Sequence, residues 1–232
     1  MKLSDSTVSV LKNFAGVNVN LVINPGKTIR TIGASRNIFA KADVQDDFPV
    51  QVCIYDLNSF LNAITLFDDV DLDFEDKFVN VKSGDATIKY FYADPSVVTA
   101  APDKEIKLDE ELFTCEMAPE DVNALMKVAA ALAAPTIAIS CSKGVAKVTV
   151  NDRKNSSSHM YSKKLTMPKK AKDVPDFDAV LRVENFKLLP GKYVCTIGKK
   201  IHKDNSVVGV VKWENQDTPL TYWMTVETDS KI

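Results

Sequence analysis

CIYDLNSFLNAITLF, residues Cys53 to Phe67, reads as the end of a strand running into a short helix. Val50, Val52 and Ile54 alternate, the period-2 pattern of a half-buried strand, and Asp56 or Asn58 can cap the helix. Leu57, Phe60, Leu61 and Ile64 then recur at helical spacing. The same pattern returns in FDAVLRVENFKLLPGKY, Phe177 to Tyr193. There Phe177, Ala179, Leu181 and Val183 alternate before a helix expected to open on Glu184-Asn185. A longer amphipathic helix precedes each copy by some fifty to sixty-five residues. The repeat implies two similar halves, and it constrains the fold more than any single residue does.

Outward from Cys53, the first helix spans Ser4 to Phe14, with Ser4 as N-cap and Asp5 at the positive end of the dipole. Strands are expected at Val17–Ile23, Thr28–Ile32 and Ile38–Val44, with a turn at Asn24-Pro25-Gly26. Val70–Phe74 alternates apolar residues with Asp, and Phe78–Val81 and Thr87–Tyr92 form a hairpin around Ser83-Gly84-Asp85. Ala93–Lys107 has two prolines, small residues and no periodicity, which marks a linker between an N-terminal domain at 1–100 and a C-terminal domain at 108–232. Beyond it come a strand at Leu112–Met117 and a helix at Ala118–Ala133 with Pro119 at N1. A hairpin of Thr136–Cys141 and Ala146–Val150 turns at Lys143-Gly144. His159–Met167, the basic loop Pro168–Lys172 and the Phe177–Tyr193 unit come next. A meander of Tyr193–Ile197, Val207–Trp213 and Leu220–Val226 closes the chain. Antiparallel sheets packed by a few helices make this an α+β protein.

With 232 residues, 45% of them apolar, the chain can bury the core of a soluble globular protein. Its formal net charge of −2 excludes a uniformly basic nucleic-acid binder, so any such surface is a local patch. Cys53, Cys115, Cys141 and Cys195 are far apart in apolar contexts, which reads as buried, reduced thiols. MKLSDSTVSVLKNF is too polar for a signal peptide, and no stretch reaches the length of a membrane span.

The catalytic inventory is thin. The two histidines, His159 and His202, sit in polar segments. No phosphate loop, dinucleotide fingerprint, nucleophile elbow or paired-Cys metal motif occurs, so no catalytic residue, metal or cofactor is expected. The acids from Asp68 to Asp76 lack the spacing of a calcium loop and read as a solvated strand face. Three of the four expected helices carry a lysine on the solvent face: Lys12, Lys127 and Lys187. The helix after Asp56 offers Ser59, Asn62 and Thr65 instead. Isolated lysines are normally just solvated. Lysines spread over one smooth surface would contact phosphates without reading sequence.

Taken in order, MKLS with LKNFA (Leu11–Ala15), IYDLNSFL (Ile54–Leu61), ADPS (Ala93–Ser96) with AP and Lys104, TIAI (Thr136–Ile139) and NFKLLPGKY (Asn185–Tyr193) run over essentially the whole chain. The final strand with Glu227, Asp229 and Ser230 completes the series. By these pieces the chain resembles the sliding clamps of T-even-type bacteriophages, the DNA polymerase processivity factors.

The resemblance implies a non-enzymatic DNA-clamp fold. Two similar domains, each with two helices on antiparallel sheet, would build a head-to-tail homotrimer with pseudo-sixfold symmetry. Lys12, Lys127 and Lys187 would face double-stranded DNA. Thr87, Lys89 and Phe91 on one edge strand would meet His159, Tyr161 and Lys163 on another at the subunit interface. Partner peptides would enter an apolar pocket, for which Ile38, Phe39, Val97, Val98, Pro102 and Tyr222 are the candidates. The partners implied are a DNA polymerase, an ATPase clamp loader and late-transcription factors, in the cytoplasm of an infected bacterium. The alternatives are a monomeric or dimeric interaction protein whose lysines only solvate it and, third, an enzyme whose site carries no motif.

Overall fold

A computed structural model describes residues 1–167 and 174–232. The basic loop Pro168–Lys172 therefore lies outside the described residues. The chain divides into two compact units, Met1–Lys104 and Glu105–Ile232.

The first unit opens on α1 (Asp5–Ala15), whose N-cap Ser4 accepts from the Thr7 amide through its hydroxyl. Val10, Leu11 and Phe14 form its buried stripe. Then come β1 (Leu21–Ile23), β2 (Gly26–Ile32), β3 (Ile38–Phe48), β4 (Val52–Ile54), α2 (Leu57–Ile64), β5 (Asp71–Phe74), β6 (Phe78–Ser83) and β7 (Ala86–Phe91). Asp56 caps α2 by accepting from the Asn58 and Ser59 amides at 3.0 and 3.2 Å. Leu57, Phe60, Leu61 and Ile64 are buried, as their spacing requires. β1 pairs with β4, β2 with β3, and β5-β6-β7 form a meander, all antiparallel. β3 extends past Val44 although Gln45, Asp46 and Asp47 are polar. Asp46 accepts from the Ser4 amide at 3.0 Å and the Ser4 hydroxyl at 2.7 Å, and Phe48 packs edge-on to Phe74. β1 is shorter than expected, because the Val17 and Asn18 amides turn back to the Phe14 carbonyl.

The second unit contains β8 (Glu110–Met117), α3 (Pro119–Ala131), β9 (Thr136–Ser142), β10 (Val145–Asn151), β11 (Tyr161–Lys164), β12 (Phe177–Arg182), β13 (Tyr193–Ile201), β14 (Val207–Asn215) and β15 (Leu220–Thr225). One sheet has the order β11-β10-β9-β12, and β8 pairs with β13, β13 with β14, β14 with β15. The two units repeat one plan. A helix precedes four strands, the first of which pairs with the fourth, and a three-stranded meander ends each unit.

The plan differs at one element. The helix expected after β12 is a 3-10 turn, Val183–Asn185, so among the described residues the second unit has one α-helix and not two. No side chain caps it at Arg182. Pro190 limits the segment and disfavours helical backbone at Leu189. Tertiary partners take the groups a helix would have used. The Leu189 amide donates to the Tyr222 hydroxyl at 3.0 Å, and the Leu189 carbonyl accepts from the Tyr193 hydroxyl at 2.5 Å. Phe186 is buried edge-on against Trp213, with ring centroids 5.1 Å apart.

Burial pushes the Tyr193 phenol up to about 12, with hydrogen bonds to Asn215 and Tyr222 partly opposing the rise. A raised folded-state value means the contribution is complete below the unfolded value of roughly 10 and is lost as pH climbs towards the folded one. The stability of the wild-type protein is expected to fall between about pH 10 and 12, with up to ~1.4 kcal/mol per pH unit from this group. Tyr193→Phe should flatten that slope in denaturant melts taken across the range, and an unchanged slope would contradict the assignment.

Candidate nucleic-acid and subunit interfaces

α1 packs against α2 within the first unit. Val10, Leu11 and Phe14 turn inward, which leaves Asp5, Ser9 and Lys12 in one exposed row at helical spacing. The exposed residues of α2 are Asn58, Ser59 and Asn62. The helix layer of this unit thus offers one lysine among neutral polar groups, with Asp5 at the start of α1. In the second unit α3 packs on β9 and β10 and exposes Glu120, Asn123, Lys127, Ala130 and Ala131. Lys127 stands at the middle of that face. Lys187 is exposed but stands just after the 3-10 turn, not on a helix, which corrects the expectation that the fourth helix carries it.

β7 and β11 each have a strand partner on one side only among the described residues: β6 for β7 and β10 for β11. The edge of β12 is different. The outer edge of β12 is taken up by the segment 227–231, with the Asp178 amide donating to the Lys231 carbonyl at 2.8 Å and the Val180 amide to the Ser230 hydroxyl at 3.1 Å. On β7, Thr87, Lys89 and Phe91 are exposed. Phe91 has 66% of its surface open, although Phe78 lies edge-on to it at 5.8 Å. The Lys89 ammonium sits 4.0 Å from the centre of the Phe78 ring, a cation–π contact that keeps the lysine stem against the strand.

On β11, Tyr161 is half-buried and the Lys163 ammonium pairs with Asp121 of α3. That hydrogen bond raises the Lys163 pKa. His159 is exposed just before the strand. Between them lies Met160, 63% exposed, which sequence reasoning missed. Its signal is a lone apolar residue in the polar run NSSSHMYSKK. An open edge strand carrying a large apolar side chain is a template for pairing with another chain.

The peptide-pocket candidates separate into two groups. Ile38, Phe39, Val98 and Tyr222 are buried, and the Tyr222 hydroxyl is engaged by Leu189. Val97 and Pro102 are exposed, Val97 within the 3-10 turn Pro95–Val97 that Asp94 caps. The four cysteines are buried and unbridged, and burial pushes the thiols of Cys53, Cys141 and Cys195 up. No cluster of three metal-ligating side chains occurs among the described residues. Among the described residues no helix is long and apolar enough to cross a membrane.

No protein-family model matches the chain. It is 30% identical over 238 residues to the sliding clamp of Enterobacteria phage T4, covering 99% of this chain and 98% of that protein. It is 38% identical over 167 residues to the sliding clamp of Vibrio phage KVP40, covering 69% of this chain and 75% of the relative. Among solved structures, A. fulgidus PCNA bound to the C-terminal region of FEN-1 superposes with a TM-score of 0.63 at 13% identity. That match covers 100% of this chain and 97% of the other.

Proposed function

We propose, from the fact that this chain belongs to the sliding-clamp family, that it encircles duplex DNA as a closed homotrimer and holds the replicative DNA polymerase on its template. The two compact units serve as the two clamp domains, six to a ring. The observation that carries the assembly is the pair of open edges. β7 in one unit and β11 in the other each lack a neighbour on one side among the described residues, so pairing β7 of one copy with β11 of the next gives a heterologous contact that can close. Thr87, Lys89 and Phe91 then face His159, Met160, Tyr161 and Lys163 across the subunit boundary. Topology, not grip, retains the ring on DNA. An ATPase loader opens it, and the site of action is the cytoplasm of the infected bacterium. Late-transcription factors would use the same docking surface as the polymerase, with Val97 and Pro102 as its accessible part. The protein catalyses no reaction in this reading.

Lys12, Lys127 and Lys187 are assigned to the duplex. Each offers a mobile point charge with no sequence readout, which suits a surface that must slide. Their sparseness predicts weak, salt-sensitive direct binding, with the logarithmic salt slope falling by about 0.9 for each phosphate contact removed. Replacing all three by Ala should leave the ring mass unchanged while processive synthesis with loader shortens, most visibly at low salt. Unchanged processivity at all salt concentrations would remove these lysines from the DNA interface.

The competing reading is an interaction protein with no ring. Light scattering over a dilution series decides between them. A species of three chain masses at micromolar concentration supports the ring, and a monomer throughout removes the topological mechanism.

A further inference from the structure

The sheet β11-β10-β9-β12 has a second face. Ile139 and Val148 are buried on the side against which α3 packs, so the alternate residues of the same strands turn away from α3. On that outer face one straight cross-strand row reads Lys164, Lys147, Ser140, Asp178. Lys164 and Lys147 are directly opposed, both exposed, and neither has an ion-pair partner among the described residues. Directly opposed like charges destabilise an antiparallel pair. The acid of the row is no remedy, because Asp178 already accepts from the Arg153 guanidinium at 2.8 Å.

A second observation lies one step along the strand. Thr149 points to the same face as Lys147, is only 8% exposed, and its hydroxyl has no hydrogen-bond partner among the described residues. A buried hydroxyl without a partner costs about 1–3 kcal/mol and calls for an explanation. Thr149, Lys147 and Ser140 line one concave space of about 620 Å3 together with Arg153, Lys231, Asp176 and Asp178, and Lys164 stands beside that space, opposite Lys147 on the neighbouring strand. That is within the usual volume of a small-ligand site, roughly 300–1,000 Å3.

We propose that this outer-face hollow is an oxyanion site, in which the Lys147 ammonium and the Ser140 and Thr149 hydroxyls receive a phosphate-class dianion, and Lys164, opposite Lys147 on the neighbouring strand, adds the second positive charge. Two compact charges match the two charges of the ligand. Donors spread over two neighbouring rows suit oxygens that diverge tetrahedrally better than the two coplanar oxygens of a carboxylate. No exposed aromatic ring stands in the row to stack a base, and Phe177 is buried, so the oxyanion itself is what the site recognises. Its source is either free phosphate or a phosphoryl group on a partner's peptide. The site stands apart from the α3 face assigned to DNA and does not depend on ring closure.

The test is calorimetric titration of the full chain at constant ionic strength with inorganic phosphate, with acetate, and with a short phosphoserine peptide and its unphosphorylated form. Saturable binding of phosphate at one site per chain is expected. Its Kd should rise at least tenfold in Lys147→Gln/Lys164→Gln and about threefold in Thr149→Val. Lys147 and Lys164 are exposed and repel each other, so the double variant should keep or slightly raise its melting temperature, and lost binding then reports the site and not the fold. Tighter binding of the phosphopeptide than of phosphate identifies a protein-borne group, and equal binding identifies the free ion. No saturable phosphate binding, an equal response to acetate, or an unchanged Kd in the double variant would each overturn the proposal.

Discussion

Phe91→Asp is expected to convert the ring to single chains without unfolding them. Phe91 lies on the open edge of β7 with two-thirds of its surface exposed, so the isolated subunit depends little on it. Its described ring contacts within the subunit are with Phe78, worth about 0.5–1.5 kcal/mol, and with the exposed Lys89 ammonium 5.9 Å from the ring centre, worth about 0.5–1 kcal/mol. In the proposed β7–β11 contact the side chain is covered. Its loss there forfeits about 2 kcal/mol of burial, and the incoming carboxylate must be desolvated, costing on the order of 2 kcal/mol or more. A total near 4 kcal/mol weakens each contact about a thousandfold. A closed ring repeats the defect at every boundary, so micromolar protein should run at one chain mass in light scattering. The circular dichroism spectrum should be unchanged and the melting temperature within a few degrees of the isolated wild-type chain. Processive synthesis should be lost with the ring. Retention of the three-chain mass would place the subunit boundary elsewhere.

Trp213→Ala should produce the largest loss of folding stability. The indole is fully buried, with Phe186 and Tyr193 edge-on at 5.1 and 6.2 Å. Truncating a core tryptophan costs about 3–5 kcal/mol through lost contacts and the residual cavity. One term opposes it. The indole N–H has no hydrogen-bond partner among the described residues, so its removal relieves a buried donor of roughly 1 kcal/mol. The net is about 3 kcal/mol, which for a chain of this length lowers Tm by on the order of 10 °C. The consequence is also local. Phe186 loses its platform, and the segment from Val183 to Leu189 has only a 3-10 turn and scattered hydrogen bonds to hold it. Amide exchange there should accelerate before the rest of the unit does. A loss under about 1 kcal/mol would show that the cavity collapses and that Trp213 does not organise this segment.

The strand-to-helix reading at Cys53–Phe67 is realised because every determinant is local. Asp56 reaches amides two and three residues ahead, and each apolar residue of α2 lies within one turn of the next. The parallel reading at Phe177–Tyr193 misplaces a helix for the opposite reason. Periodicity there is similar, yet Leu189 is claimed by hydroxyls from Tyr193 and from Tyr222, the latter 33 residues away. No window of sequence contains that competition. Lys187 shares the outcome: its exposure was legible, its helix was not. Met160 was overlooked because an apolar residue in a polar run means something only once β11 is known to be an edge.

The sequence by itself determined the α+β class, the turn at Gly26, the hairpins at Gly84 and Gly144, the capped helices α1 and α2, and the repeat of one plan in two halves. These rest on side-chain periodicity, backbone preferences at turns and caps reached within a few residues, all of which are properties of short stretches. Only the tertiary structure decided which strands are left open, which residues of a strand oppose each other, and which backbone groups distant side chains capture. β7 and β11 are edges because of how whole sheets are ordered. Lys147 and Lys164 are neighbours because β10 and β11 pair in that register and no other. Register and edge position arise from pairing between segments far apart in the chain, and a one-residue slip would turn each of these side chains to the opposite face.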